Sequence, residues 1–96
     1  MHVVFHPEAE AEFLNAIDHY ETRAPGLGRE FSFEVYAAIQ NVVDLPAAWP
    51  VLENDIRRCL THRFPYAVLY AEESGQIQIL AVMHLHQEPG YWRQRI

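Results

Sequence analysis

The apolar pattern of this chain changes period once, and that change limits the folds open to it. Between Pro7 and Leu45 apolar residues recur at spacings of three and four; from Ile56 to His84 they alternate or run on without interruption. Ala9, Phe13, Ala16, Ile17 and Tyr20 line one face of a first helix. Pro7 suits its opening turn, where a missing N–H costs nothing, and Glu8, Glu10 and Glu12 complement the positive end of its dipole. Ala24-Pro25-Gly26 breaks the pattern. After Gly28 a second stripe of Phe31, Val35, Ala38, Ile39 and Val42 predicts a second helix, ended by Leu45-Pro46. So short a link makes the pair an antiparallel hairpin.

His2–Phe5 reads as a strand before this hairpin, and residues 46–55, with Pro46, Trp49 and Pro50, read as an aperiodic loop after it. Three further strands are predicted at Ile56–Thr61, Phe64–Glu72 and Gln76–His84, the last two joined by a turn at Glu73-Ser74-Gly75. Pro65 marks the start of its strand or a bulge, since it lacks a ladder donor. The expected fold is a single α+β domain over residues 1–96: an N-terminal strand, a helical hairpin and a three-stranded antiparallel meander, with the helices on one face of a mainly antiparallel sheet.

The last strand predicts a surplus. Strict alternation puts Ile77, Ile79, Ala81 and Met83 on one face, and Gln76, Gln78, Leu80, Val82 and His84 on the other. The second face begins polar and turns apolar, which calls for a cover. The cover is either the chain's own loop and C-terminal tail or a second polypeptide.

Charge narrows the function. Thirteen acidic residues face seven arginines and no lysine, a net charge of −6. Nucleic-acid binding is driven by cations displacing counterions, so this balance opposes a general nucleic-acid binder but does not penalise a protein-directed role. Arg57, Arg58 and Arg63 form the one basic island. Arg57 and Arg58, adjacent on a strand, point to opposite faces, so only one can serve a given site. Tyr66 and Tyr70 share a face with Val68 and read first as core, second as a recognition surface. His84 and His86 share one side of a strand, but two ligands are too few for a metal centre and no other histidine has supporting spacing. The lone Cys59 permits no internal disulfide, which fits a reducing cytoplasm, and reads as a small buried apolar residue. There is no glycine-rich phosphate loop, no long apolar run for a membrane span and no signal-peptide pattern, so neither a cofactor nor a membrane is expected.

Several segments, taken in order, carry a family likeness. They are Phe5-His6-Pro7-Glu8-Ala9, Tyr20-Glu21, and Pro25-Gly26-Leu27-Gly28-Arg29-Glu30-Phe31. Arg57-Arg58, Arg63-Phe64-Pro65-Tyr66, Tyr70, Ala81-Val82-Met83-His84 and Pro89-Gly90-Tyr91-Trp92-Arg93 follow. Together they resemble the RelE/ParE superfamily of type II toxins over nearly the whole chain, closer to the ParE-like, plasmid-stabilisation branch than to the RelE ribonucleases. The resemblance implies a small bacterial toxin neutralised by a cognate antitoxin that wraps a segment across it. In the ParE branch the implied action is protein–protein contact with DNA gyrase. Arg57, Arg58, Leu80, Val82, His84, Trp92 and Arg93 are then the candidates for touching target or antitoxin, unless Tyr91-Trp92-Arg93 pack as a lid on the sheet. The alternative is a ribosome-dependent mRNA endonuclease, in which Arg63 matches a functional arginine, His86 stands where a second arginine is usual and Tyr91 supplies the C-terminal hydroxyl. The missing second arginine and the absence of lysine tell against it. A third reading is an inactive member that only binds its antitoxin.

Overall fold

A computed structural model describes all 96 residues. Strand β1 (His2–Phe5) leads into α1 (Pro7–Arg23) and α2 (Leu27–Asp44). Then come β2 (Val51–Glu53), β3 (Ile56–Leu60), β4 (Tyr66–Glu73), β5 (Gln76–His84) and a 3₁₀ turn at Arg93–Arg95. The sheet has five strands in the order β1-β5-β4-β3-β2, with β1 parallel to β5 and the other pairs antiparallel. Two expectations need correcting. The segment read as a loop contains β2, which forms a hairpin with β3 over a turn at Asn54 and Asp55, both left-handed at φ 48° and 64°. Asparagine and aspartate tolerate that conformation better than other non-glycine residues. The sheet is therefore one strand larger than a four-stranded reading allows, and the parallel β1–β5 pair makes it mixed.

The helix boundaries follow from local chemistry. His6 caps α1 through Nδ1, which accepts the Glu8 amide at 3.1 Å, and Pro7 fills the first helical position. Gly26 enters α2 at φ 85°. The Glu21 carboxylate accepts the amides of Gly26 at 2.9 Å and Gly28 at 3.1 Å, so α1 caps its neighbour. At Gly28 the helices touch: a Cβ there would lie 2.5 Å from the Ile17 carbonyl oxygen.

One core lies between the helices and the sheet. Phe31 is its hub, with Tyr66 at 4.8 Å, Tyr20 at 5.1 Å and Phe64 at 5.2 Å between ring centroids. Val68, Tyr70, Ile77, Ile79 and Val82 face the same side. A second, smaller core lies on the opposite face, where Trp92 covers Ile56, Ala67, Leu69, Leu80 and Ala81.

That second core overturns the expected faces of the last strand. Leu69 pairs with Ala81 and Tyr70 with Ile79, so Leu80 is an extra residue in β5. A bulge of this kind shifts every later side chain to the other face. Val82 therefore joins Ile77 and Ile79 under the helices, while Leu80 and Ala81 both turn toward the tail. The surplus apolar surface at Leu80 and Val82 is sealed by the chain itself, since they retain 1% and 2% of their exposure.

The tight helix crossing makes a simple prediction. Gly28→Ala should lower stability by about 1–3 kcal/mol, because the added methyl would meet the Ile17 carbonyl oxygen, which is backbone, and crowd the Glu21 side chain that caps α2. Thermal or urea denaturation would read this, with Ala37→Ser on the exposed side of α2 as a near-neutral control.

Candidate functional site

Beyond Phe5 no strand pairs with the outer edge of β5, and side chains complete it. The His6 amide donates to the Ile79 carbonyl at 2.8 Å, where β1 ends. The bulge then leaves two backbone groups turned outward. The Leu80 carbonyl accepts from Arg95 Nη1 at 3.0 Å, and the Val82 amide donates to Glu12 Oε1 at 3.1 Å. Glu12 and Arg95 pair with each other at 2.8 Å and 3.0 Å, and Tyr91 donates its hydroxyl to Glu12 Oε2 at 2.5 Å. The Arg95 side chain is only 5% exposed. Burial, followed by the bond to Glu12, pushes the Tyr91 hydroxyl well above the ordinary tyrosine value, so it acts as a fixed donor. The pairing with Glu12 in turn holds Arg95 charged.

Beside this junction lies a cleft of about 290 Å³ whose wall includes Asn15, His19, Tyr66, His84 and Tyr91. It offers hydrogen-bonding groups but no free cation. His84 stacks edge-on against Tyr66 at 5.1 Å and accepts the His86 amide through Nδ1 at 3.0 Å. No group of three or more His, Cys, Asp or Glu side chains is arranged to hold a metal ion. Cys59 is buried, and that burial raises its thiol pKa.

The structure disperses the residues of the nuclease reading. Arg63 stands in the turn before β4 and pairs with Glu30 of α2 at 2.6 Å. Its amide and that of His62 both donate to Glu34 at 3.0 Å. His86 is exposed, and neither it nor Arg63 lines the cleft that contains Tyr91. A cyclising phosphodiester needs a cation over its developing charge; Arg63 is engaged by Glu30, and no arginine lines the cleft that contains Tyr91.

The residues proposed for contact divide between two roles. Arg57 faces the helices and donates Nη1 to the carbonyls of Trp49 at 2.6 Å and Ala47 at 3.2 Å; Tyr70 reaches Pro46 from the same face. Together they fasten the loop after α2. Burial pushes the Tyr70 hydroxyl up to about 12. Trp92 is buried at the centre of the second core, the lid alternative of the sequence reading. Arg93 makes a double contact with Glu53 of β2, at 2.8 Å for each bond, which holds that carboxyl below its ordinary range. Arg58 differs from all of these: it lies on the outer face opposite Leu69, exposed and without a protein acceptor. The exposed Leu52, Leu60 and Leu85 lie near it, at the end of the sheet that Trp92 does not cover. Sequence reasoning missed Glu12 and Arg95, because a glutamate that follows Glu8 and Glu10 near the start of a helix has a sufficient explanation in the helix dipole.

The comparisons with known proteins bear on the family and the fold. A family model described as the ParE toxin of a type II toxin–antitoxin system, parDE, matches residues 3–89. A solved structure of the chromosomal ParDE toxin–antitoxin system from P. aeruginosa superposes with a TM-score of 0.78 at 18% identity, covering 90% of this chain and 97% of that one. At this identity the likeness speaks for the fold. Among curated proteins none matches the sequence.

The Glu12 junction is testable by stability. Glu12→Ala leaves the buried Arg95 guanidinium with only the Leu80 carbonyl and a 3.7 Å approach to Glu8, and should cost about 3 kcal/mol. Tyr91→Phe removes one bond to a carboxylate and should cost about 1.5 kcal/mol, both read by urea denaturation. The tyrosines also set an alkaline limit. Tyr70 ionises at about 12 when folded against an ordinary 10.0, so its contribution is complete below pH 10.0 and is lost as pH rises through about 12. Tyr70→Phe should flatten that alkaline fall in melting temperature.

Proposed function

We infer the following from one premise: this chain belongs to the ParE toxin family of type II toxin–antitoxin systems. It is the toxin of such a pair, it works in the cytoplasm through protein–protein contact, DNA gyrase is its leading target, and a cognate antitoxin neutralises it. The observation that favours contact over catalysis is the fate of the arginines. Arg57, Arg63, Arg93 and Arg95 are each held by acceptors within the chain. Arg58 alone on the sheet remains available, among exposed leucines, and Arg and large apolar residues suit a macromolecular interface better than a phosphate-cleaving centre. No helix is long and apolar enough to cross a membrane.

A second reading draws on the cleft beside Glu12. His19, His84 and Tyr66 are groups that can move protons near an RNA 2′-hydroxyl, which keeps ribosome-dependent mRNA cleavage as the competitor.

Expression experiments separate the readings. Induction of the chain alone should arrest growth, and co-expression of the product of the adjoining gene should restore it; no arrest identifies an inactive member that only binds its antitoxin. Purified protein should reduce DNA supercoiling by gyrase in vitro, and full supercoiling at saturating protein would remove gyrase as the target. Cut transcripts in a translating extract, abolished by His84→Ala, would transfer the assignment to the nuclease.

A further inference from the structure

The outer edge of β3 is only half covered. β2 pairs with β3 at Ile56 and Arg57, and the Arg58 amide donates to the Pro50 carbonyl at 3.1 Å. There the ladder stops, because Pro50 has no N–H to return to the Arg58 carbonyl. Residues two apart on an antiparallel strand turn their backbone groups the same way. The amide and carbonyl of Leu60 therefore face the same open edge, since Thr61 turns its own amide inward to Tyr66 at 3.0 Å. The edge closes again at His62, whose amide is held by Glu34. Between Pro50 and His62 the Arg58 carbonyl and both Leu60 groups have no backbone partner.

This gap borders a groove on each face of the sheet. On the helix side a hollow of about 150 Å³ runs between α2 and β3, floored by Ala37, Ala38 and Asn41 and closed by Trp49. The Trp49 indole N–H is itself buried and without an acceptor. On the outer side a groove of about 460 Å³ runs past Pro50, Arg58 and Leu60. Arg58 is the unpaired cation there, in a chain of net charge −6.

We propose that this gap receives an extended segment of the antitoxin, which adds a short strand to β3 at Leu60, sets small apolar side chains into the Trp49 hollow and aims a carboxylate at Arg58. The location and the side-chain chemistry rest on the toxin–antitoxin reading and go beyond it. Backbone pairing at Leu60 supplies affinity that is indifferent to side chains. The alternation of the strand supplies selectivity: one face meets Ala37 and Ala38, where only small residues fit, and the other meets a guanidinium. The Glu34 carboxylate does not repel the segment's acidic face, because it lies on the helix side and is engaged by the His62 and Arg63 amides.

The test is amide hydrogen exchange on the chain alone and in complex with the product of the adjoining gene. In the free chain the Leu60 amide should exchange quickly and independently of concentration; in the complex it should slow at least a hundredfold. Arg58→Glu should weaken the complex more than tenfold, and Ala37→Trp, which fills the hollow from an exposed helix position, should do the same. Circular dichroism would verify that both variants fold. A complex that forms with Leu60 exchange unchanged, or with full affinity for both variants, would overturn the site while leaving the toxin reading intact. Absence of any complex would overturn the toxin–antitoxin reading and the site with it. Concentration-dependent protection of Leu60 in the free chain would assign the edge to a second copy of this chain instead.

Discussion

The contact between Glu12 and Arg95 ties together parts of the chain that have no other reason to meet. Glu12 is in the second turn of α1, Arg95 is in the 3₁₀ turn at the far end of the sequence, and between them lies a bulged edge of β5. The bulge turns the Leu80 carbonyl and the Val82 amide outward at the point where β1 has ended. The pair satisfies both while neutralising itself. A buried ion pair alone gains little over an apolar one of the same shape, since desolvation offsets attraction. Here each charge also completes a backbone group that water cannot easily reach, and that makes the arrangement worth its desolvation. The second core depends on it, because the same turn carries Trp92 onto the sheet.

Seen from this junction, the two faces of the sheet are held differently. The helix face is an aromatic and aliphatic core of the ordinary kind, built around Phe31 and large enough to tolerate local change. The outer face is covered only over its middle, by a single indole and a few small residues. At the β3 end the cover runs out. Leu52, Leu60 and Leu85 remain about half exposed there, beside the one free arginine of the sheet. Intramolecular packing stops at this end of the sheet, and the arginine island of the sequence divides there. Arg57 secures the loop beneath, and Arg58, one residue on, stays free.

Much of this was legible in the residues. The two stripes from Ala9 to Tyr20 and from Phe31 to Val42 gave both helices, and Pro7 and the Ala24-Pro25-Gly26 breaker gave their limits. The opposition of Arg57 and Arg58 followed from strand geometry alone. β2 was missed because Pro46, Trp49 and Pro50 outweighed a three-residue strand, although Asn54-Asp55 between Leu52 and Ile56 carries a hairpin signal. The faces of β5 were misassigned because a bulge leaves no mark in composition: Leu80-Ala81-Val82 is apolar throughout, so nothing betrays the missed step in register. Arg95 and Glu12 are separated by most of the chain, and a pairing of that range is invisible to any local pattern. Part of the family likeness, too, is carried by residues that the fold uses structurally, Tyr70 and Trp92 among them.

The parallel pairing of β1 with β5 has a kinetic consequence. His2 lies opposite Gln76 and Phe5 opposite Ile79, contacts that close a loop of more than seventy residues. The helical hairpin and the β4–β5 hairpin are local and can assemble early, whereas this closure must wait for both and carries the largest loss of chain entropy. β1 is therefore expected to dock after both hairpins, and its departure would bare the flank of β5 from Gln76 onward.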